Sequence, residues 1–583
     1  MSSHYMCYDI KGIQQFIFSV PRLKCIVGAS GQIARFDENF EKQFKADEDE
    51  KVKYIFSGGG RGTLECRTLD VAKSISSELI AKAHVLGLDI RIGIAEKFSE
   101  AVQHADELYP FCPQPAELQG FPCSASGLFP VAEETGSTVH PIIQMRMREA
   151  KIDYLGNSIL DSVMKSDSFL DQWPSDFREH EPKLTVEFLR NVNPESSDSD
   201  DEYVDERRAK AGKQSLGGRN RWAIIAMDGN DMGRQFEMLT DLHPDDQLPC
   251  KLGIVSEALK KITRQAFEQA FVKCLNLWLA NCKPDLWKCS YDEGQNRYVV
   301  LPFRPLILGG DDLVLLCHSS LAMEFVRTMA REFAKHSKTE SDRIQKEHGF
   351  QPFPSVKDGR LAISAGVLFS KVTLPLHTAI PYAESLLASA KGAFRSKDSD
   401  ASTEQSGQPA KFVAPTPAAV DWDAITDTMI DNPTDRRRRE LVFYDEETQR
   451  TVSLTDRPYE LNDKTERLAR NGFDKVLQKA QDLAKLPTSF RAELKIALNQ
   501  VWNDRMQFLI SANKDRSCEA IVKSLWEQPG SEWAESSDRD KAESGWKIVP
   551  DKKTKKKNEQ RTDVLDAILL LDEDHRMDQE LEV

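Results

Sequence analysis

The sequence predicts an α+β protein with two ferredoxin-like βαββαβ units, a small segment between them and a helical C-terminal domain. Three observations predict it. The order strand, helix, strand–turn–strand, helix, strand is readable in residues 4–95 and again from Arg221 to Arg395. Each copy carries a glycine-rich tip between two apolar runs, Ser57-Gly58-Gly59-Gly60 in the first and Gly309-Gly310-Asp311-Asp312 in the second. The chain has 583 residues, which exceeds the roughly 250–300 at which a single core stops growing.

The composition is that of a soluble globular chain, 40% hydrophobic and 29% charged, with a mean hydropathy of -0.49. The net charge is -15. Proteins that coat nucleic acid are basic on balance, so this charge argues against that role for the whole chain and leaves room for a local basic groove. The 11 cysteines are scattered with no Cys-x-x-Cys pair, and the run from Met1 to Tyr5 does not open a signal peptide. No apolar run approaches the ~20 residues of a membrane helix. These features read as a cytoplasmic protein with reduced thiols and no membrane partner.

The first unit, 1–106, begins with an apolar strand ending at Asp9, a Gly12 turn, and a helix with Ile13, Phe16 and Ile17 on one face. Small residues relieve the next helix, Arg22 to Ile33, where another backbone approaches. Val52 to Cys66 reads as strand–turn–strand, Leu69 to Leu88 as an amphipathic helix, and Asp89 to Ala95 as a last alternating strand. In the middle segment, 107–218, Cys112, Cys123, His104 and His140 lack any recognised zinc spacing, so no zinc site is expected. Asn193 to Lys213 is acidic, then basic, and reads as a linker.

The second unit, 219–398, opens with the strand Arg221 to Asp228, a turn from Gly229 to Gly233, and a helix from Arg234. Residues 245–299 read as a long helical insertion. Pro305 to Cys317 is the hairpin, Leu321 to Lys335 a helix, Leu361 to Ser370 a strand, and Pro381 to Arg395 a helix carrying Lys391. Residues 399–425 read as a linker and 426–545 as a helical domain, with a strand after Arg436 and paired helices around Leu486 to Phe490. The run Arg436–Arg439 reads as a solvated helix start, the alternative being an RNA contact. The charged tail, 546–583, holds a basic patch from Lys552 to Lys557 and an apolar turn from Val564 to Leu571, either docked on a partner or disordered.

Taken alone, Asp311 and Asp312 are either a solvated turn with two surface acids or a metal site. In this fold, the end of the first strand lies beside the central hairpin, which brings Asp228 next to them. Three carboxylates at one strand edge are what two divalent ions, Mg²⁺ or Mn²⁺, require for phosphoryl transfer. Such chemistry depends on positioning and charge neutralisation, so no His or Cys nucleophile is sought. Gly309 and Gly310 form the tight turn. Gly229 and Asn230 lie in the turn that opens a helix and offer backbone N–H groups to a triphosphate. Lys391 and Arg395 are the candidates for its terminal phosphates. Ser364 reads as an ordinary core serine and Asp231 as a turn residue.

Asp9-Ile-Lys-Gly-Ile-Gln-Gln-Phe-Ile17, Ser57-Gly-Gly-Gly60, Met227-Asp-Gly-Asn-Asp-Met-Gly233, Leu308-Gly-Gly-Asp-Asp312 and Ala383-Glu-Ser-Leu-Leu-Ala-Ser-Ala-Lys391 together resemble the large subunit of type III CRISPR effectors. The resemblance covers residues 4–100 and 220–395, with a fainter match around Lys485 to Leu498. It implies tandem palms, the first degenerate. It further implies a cyclase that joins ATP into cyclic oligoadenylates for antiviral signalling, with guide or target RNA and other effector subunits as partners. Two features depart from the family. None of the 11 His is followed by Asp, so the family's nuclease is not expected, and its zinc knuckle is reduced to Cys112 and Cys123. Other readings are a catalytically dispensable scaffold that binds RNA and subunits, a diguanylate cyclase, and a template-directed polymerase. Leu313 and Val314 stand where a diguanylate cyclase would carry Glu-Phe, and no fingers or thumb pattern is evident for a polymerase.

Overall fold

The computed structural model describes residues 3–20, 22–45, 51–107, 140–164, 221–282, 288–293, 295–356, 358–372, 374–395, 415–425, 432–445, 450–461 and 472–498, with short pieces elsewhere. The fold is α+β. In the N-terminal unit the strands are β1 (His4–Lys11), β2 (Val52–Gly58), β3 (Arg61–Cys66) and β4 (Asp89–Ala95). Between and after them lie α1 (Ile13–Phe18), α2 (Leu23–Lys45), α3 (Leu69–Leu86) and α4 (Phe98–Glu107). The sheet order is β2-β3-β1-β4, with every neighbouring pair antiparallel. Tyr8 on β1 packs edge-on against Phe36 and Phe40 of α2, which fixes that helix on the sheet. Thr68 caps α3 by accepting from the Val71 N–H, and Gly87 ends it in the left-handed region. Two further helices, α5 (Pro141–Ile152) and α6 (Tyr154–Met164), follow, α5 packing on α2.

The second unit repeats the order with β5 (Arg221–Gly229), α7 (Met232–Leu242), α8 (Leu248–Cys282), β6 (Phe303–Gly309), β7 (Asp312–His318), α9 (Ala322–His348), β8 (Ile363–Lys371) and α10 (Leu376–Phe394). Its strands run β6-β7-β5-β8, the arrangement of the first sheet. The run Trp222 to Met227 is buried without interruption, as a central strand covered on both faces must be. Each unit lays its last helix close on its last strand by the same device. A Cβ on Gly93 of β4 would run into the Ala101 carbonyl of α4. One on Gly366 of β8 would run into the Ala383 carbonyl and Leu387 nitrogen of α10. Because the obstacle is backbone, Gly366→Ala is expected to cost about 1–3 kcal/mol, read as a lower midpoint of chemical denaturation.

Five expectations are corrected. Residues 245–299 are not a helical insertion: α8 is the unit's own first helix, the counterpart of α2. Its Phe267 and Phe271 reach Phe325 of α9 and Phe303 of β6, ring centroids 5.6 and 4.8 Å apart. What is inserted is the hairpin Ser290–Glu293 and Asn296–Val300, which pairs with Lys183–Thr185. Next, the end of the expected 399–425 linker is β9 (Ala419–Ile425), a buried strand parallel to β8. Asp421 and Asp423 break its apolar run, which hid it, but both acids are buried and paired. Arg437 grips Asp421 at 2.6 and 2.8 Å, and the Tyr382 hydroxyl donates to Asp423 at 2.6 Å. Arg436 and Arg437, in α11 (Pro433–Glu440), therefore face inward in a run expected to be solvated.

The C-terminal region is also more than helical. Alongside α12 (Phe473–Ala484) and α13 (Thr488–Leu498) stand β10 (Val442–Asp445), β11 (Arg450–Ser453), β12 (Tyr459–Glu460), β13 (Lys547–Val549) and β14 (Glu559–Arg561). Strand β12 joins the palm sheet beside β9, and the others form a sheet ordered β10-β11-β14-β13. Within the expected tail, residues 565–568 are buried on the chain's own body. The patch Lys552–Lys557, Cys112, Cys123 and the linker of residues 193–213, apart from residue 210, lie outside the described residues. His140 caps α5 and the His104 ring meets the Ile94 carbonyl. Among the described residues no helix is long and apolar enough to cross a membrane.

Candidate functional site

The site forms where β5 ends beside the β6–β7 hairpin. Leu313 lies opposite Met227 and Gly309 opposite Asp312, which sets Asp312 level with Asp228 at one sheet edge. Gly310 takes a φ of 60, the left-handed turn that Gly permits without strain. The turn is pinned from behind, since Thr263 of α8 donates its hydroxyl to the Gly310 carbonyl at 2.5 Å. Asp311 folds over Gly229: a Cβ at that position would lie 2.7 Å from Asp311 Oδ2. Lys391 of α10 donates to Asp228 Oδ2 and, at 2.8 Å, to the Gly229 carbonyl. Asp228, Asp311, Asp312 and Lys391 are thus brought together with the Gly229 backbone.

The acids crowd one another. Asp311 is half-buried and Asp312 keeps an exposed edge, so the tip is walled from behind and open in front. Desolvation raises the Asp311 carboxyl well above the ordinary carboxylate range, and the neighbouring Asp228 and Asp312 raise it further. Asp312 is raised likewise, by burial and then by Asp228, with the Lys391 ammonium opposing. Ionising all three therefore calls for more positive charge than one lysine supplies. Three carboxylates and a backbone carbonyl are hard oxygen donors, the set that suits Mg²⁺ or Mn²⁺. Among the described residues no three His, Cys, Asp or Glu side chains stand as a preformed ligand group, and Asp228 is turned to Lys391 instead.

The other candidates serve the frame. Asn230 is buried; its N–H donates to the Ala362 carbonyl and its amide to the carbonyls of Pro417 and Thr416, which braces the entry to β9 rather than facing a triphosphate. Asp231 takes the turn, with a φ of 57, and accepts from the Thr416 N–H and hydroxyl. Ser364 is buried and accepts from the Ala419 N–H. Arg395 closes α10, exposed, its N–H on the Lys391 carbonyl. Two residues escaped sequence reading. Thr263 is remote in sequence and sits in the helix taken for an insertion. Glu384 shares a face of α10 with Lys391, by the spacing that brings residues two turns apart into line. It acts electrostatically on Asp312, and one of its oxygens is buried without a partner.

The N-terminal unit has the same frame with different charges. Asp9 lies two residues before the end of β1 and Asp228 one before the end of β5, and each is followed by a left-handed residue capping the next helix, Gly12 or Asp231. Gly60 and Arg61 occupy the places of Asp311 and Asp312. Arg61 Nε lies 3.3 Å from Asp9 Oδ1, and Lys11 bonds both Asp9 and, at 2.7 Å, Asp106. Its strand-end acid is neutralised by the chain's own cations.

Gly229→Ala separates geometry from folding. The nearest obstructing atoms belong to side chains, Asp311 Oδ2 at 2.7 Å and Met232 Cγ at 2.8 Å, so the fold should survive while Asp311 is displaced. For the activity proposed below, a fall of about a hundredfold with little change in the thermal transition is expected.

An edge of three acids on a βαββαβ frame, with a lysine reaching across it, is the arrangement of a palm domain. Residues 221–401 match the family model of Cas10/Cmr2, second palm domain, and the chain carries that domain; the large subunit of type III CRISPR effectors is the family its motifs resemble. Among solved structures, the Csm1-Csm4 cassette in complex with cA3 is similar at 11% identity and a TM-score of 0.42, covering 98% of this chain and 70% of that chain. The cassette in complex with cA4 has 13% identity and a TM-score of 0.33, and the cassette with one ATP 13% and 0.35; each covers 67% of this chain and 53% of that chain. This chain thus spans about half the length of those two structures' matched chains, 53%. No curated protein matches it.

Proposed function

We propose that the protein is a metal-dependent nucleotidyl cyclase that joins ATP into cyclic oligonucleotides, as a signalling component of type III CRISPR-like antiviral defence. The observation that carries this reading is the convergence of Asp228, Asp311 and Asp312 at one open strand edge. Divalent ions, when bound there, would supply positive charge to the α-phosphate and lower the pKa of the attacking hydroxyl. The chain's residues do the rest. The three carboxylates and the Gly229 carbonyl would hold the ions, and Thr263 and Gly310 keep the tip in place. In the reaction a ribose 3′ oxygen forms a bond to the α-phosphorus of a second nucleotide, its proton leaves, and the bond to pyrophosphate breaks. Lys391 is the cation within reach of the departing negative charge. The N-terminal unit, without acids at its tip, would hold the other nucleotide against this edge.

The family-model match over residues 221–401 supports effector-complex subunits as partners, and the motif resemblance adds guide or target RNA as activator. The scaffold alternative rested on the arginine run and the basic tail. It is weakened, because Arg436 and Arg437 are engaged with Asp423 and Asp421.

Incubation of the purified protein with ATP and Mg²⁺ or Mn²⁺, with and without RNA, should release pyrophosphate and yield a cyclic adenylate by mass spectrometry. Folded protein that gives no product from ATP or GTP under any of these conditions would sink the reading.

A further inference from the structure

We infer that Lys391 is a built-in competitor for the metal: its ammonium occupies Asp228 and the Gly229 carbonyl until a divalent ion and its triphosphate displace it. This rests on the metal site proposed above and specifies how the site is kept closed to free ions.

Geometry comes first. The Lys391 ammonium is bonded to two of the oxygens a metal at this edge would use, Asp228 Oδ2 and the Gly229 carbonyl. An ammonium and a divalent cation cannot share those oxygens without strong repulsion. The lysine stem is long and its side chain one-quarter exposed, against 36% for Asp228, so the ammonium has solvent to swing into.

The N-terminal unit supplies an independent argument. There the equivalent strand-end acid, Asp9, is also held by a lysine, Lys11, and a second cation, Arg61, stands where Asp312 would be. That unit illustrates the end state of the same device, with its acid permanently neutralised by the chain. In the second unit the tip is acidic and, among the described residues, the cation bonded to the strand-end acid is Lys391, carried on a neighbouring helix rather than on the strand itself. The neutralisation there is removable. A triphosphate gives the displaced ammonium a new anionic partner, so metal and nucleotide should favour each other's binding through Lys391.

The test is Mn²⁺ binding to the full chain in the absence of nucleotide, followed by electron paramagnetic resonance or calorimetry, for the parent protein and for Lys391→Met and Lys391→Arg. A simple phosphate-binding lysine leaves the affinity for metal alone unchanged. A competitor predicts that Lys391→Met tightens Mn²⁺ binding about tenfold or more, the worth of one charge-assisted hydrogen bond, while Lys391→Arg does not. A non-hydrolysable ATP analogue should then improve Mn²⁺ affinity more in the parent than in Lys391→Met. Unchanged or weaker binding in a folded Lys391→Met protein overturns the inference and leaves the metal site standing. Mn²⁺ binding that survives Asp311→Ala with Asp312→Ala overturns the metal site itself, and the inference with it.

Discussion

Alanine at both Asp311 and Asp312 is expected to lower ATP turnover by about a thousandfold or more without lowering the thermal transition. The kinetic half follows from what the acids hold. Stabilisation of transition-state charge by a metal amounts to several kcal/mol, and each 1.36 kcal/mol is tenfold in rate. Asp228 alone, already bonded to Lys391, offers too little charge to replace the pair. The stability half follows from the crowding. Asp311 lies against Gly229 with Asp228 and Asp312 beside it, and burial and mutual repulsion penalise its ionised form. Removing two such carboxylates relieves that penalty, so the variant should melt at or above the temperature of the parent. Sites of this kind trade stability for function. Pyrophosphate release and a thermal melt on the same preparation settle both halves. Parent-like turnover in a folded double variant would end the assignment of these residues to catalysis.

Much of this site was legible before the fold was known. Asp228, Gly309–Asp312 and Lys391 follow from strand and hairpin patterns, because apolar runs bounded by glycine fix which residues reach a sheet edge. The parallel Ser57–Gly60 tip made the duplicated frame readable too. What escaped depended on contacts between distant segments. Asn230 sits where a phosphate ligand would be expected, yet its amide is spent on Pro417 and Thr416, partners no local pattern names. Strand β9 was hidden because Asp421 and Asp423 look like solvent-facing acids, and only Arg437 and Tyr382 make their burial affordable. Lys391, the candidate for the terminal phosphates, is paired with Asp228, and that pairing depends on how closely Gly366 lets α10 approach. The frame is written in periodicity; the charge pairing is written in three dimensions.

The buried charges of the C-terminal region carry the second large effect. Asp566, in a stretch that reads as a charged tail, is fully buried. It accepts from the Thr455 hydroxyl at 2.9 and 3.1 Å, the Asp456 N–H at 2.9 Å and the Tyr459 hydroxyl at 2.8 Å, and Arg457 Nε lies 3.0 Å away. Arg457 is itself buried, with Asp423 as a more distant acid at 3.7 Å and its guanidinium 5.5 Å from the Trp422 ring. Asp566→Ala therefore takes the nearest acid from a buried guanidinium, which keeps the Trp422 carbonyl, and leaves three donors without their acceptor in the interior. Breaking a buried pair from one side costs about 3–5 kcal/mol. For a cooperative unit of roughly 150–250 residues that is a fall of about 6–20 °C in Tm. Asp566→Asn, which keeps acceptor capacity but not charge, should fall between. Trp422 lies on β9, directly beside the strand that carries Ser364 opposite Asp228, so the loosened sheet should also lose activity on mild heating. Thermal melts by circular dichroism on parent, Asn and Ala proteins give the order. An Asp566→Ala protein that melts with the parent would mean the 565–568 segment does not dock on the body in solution.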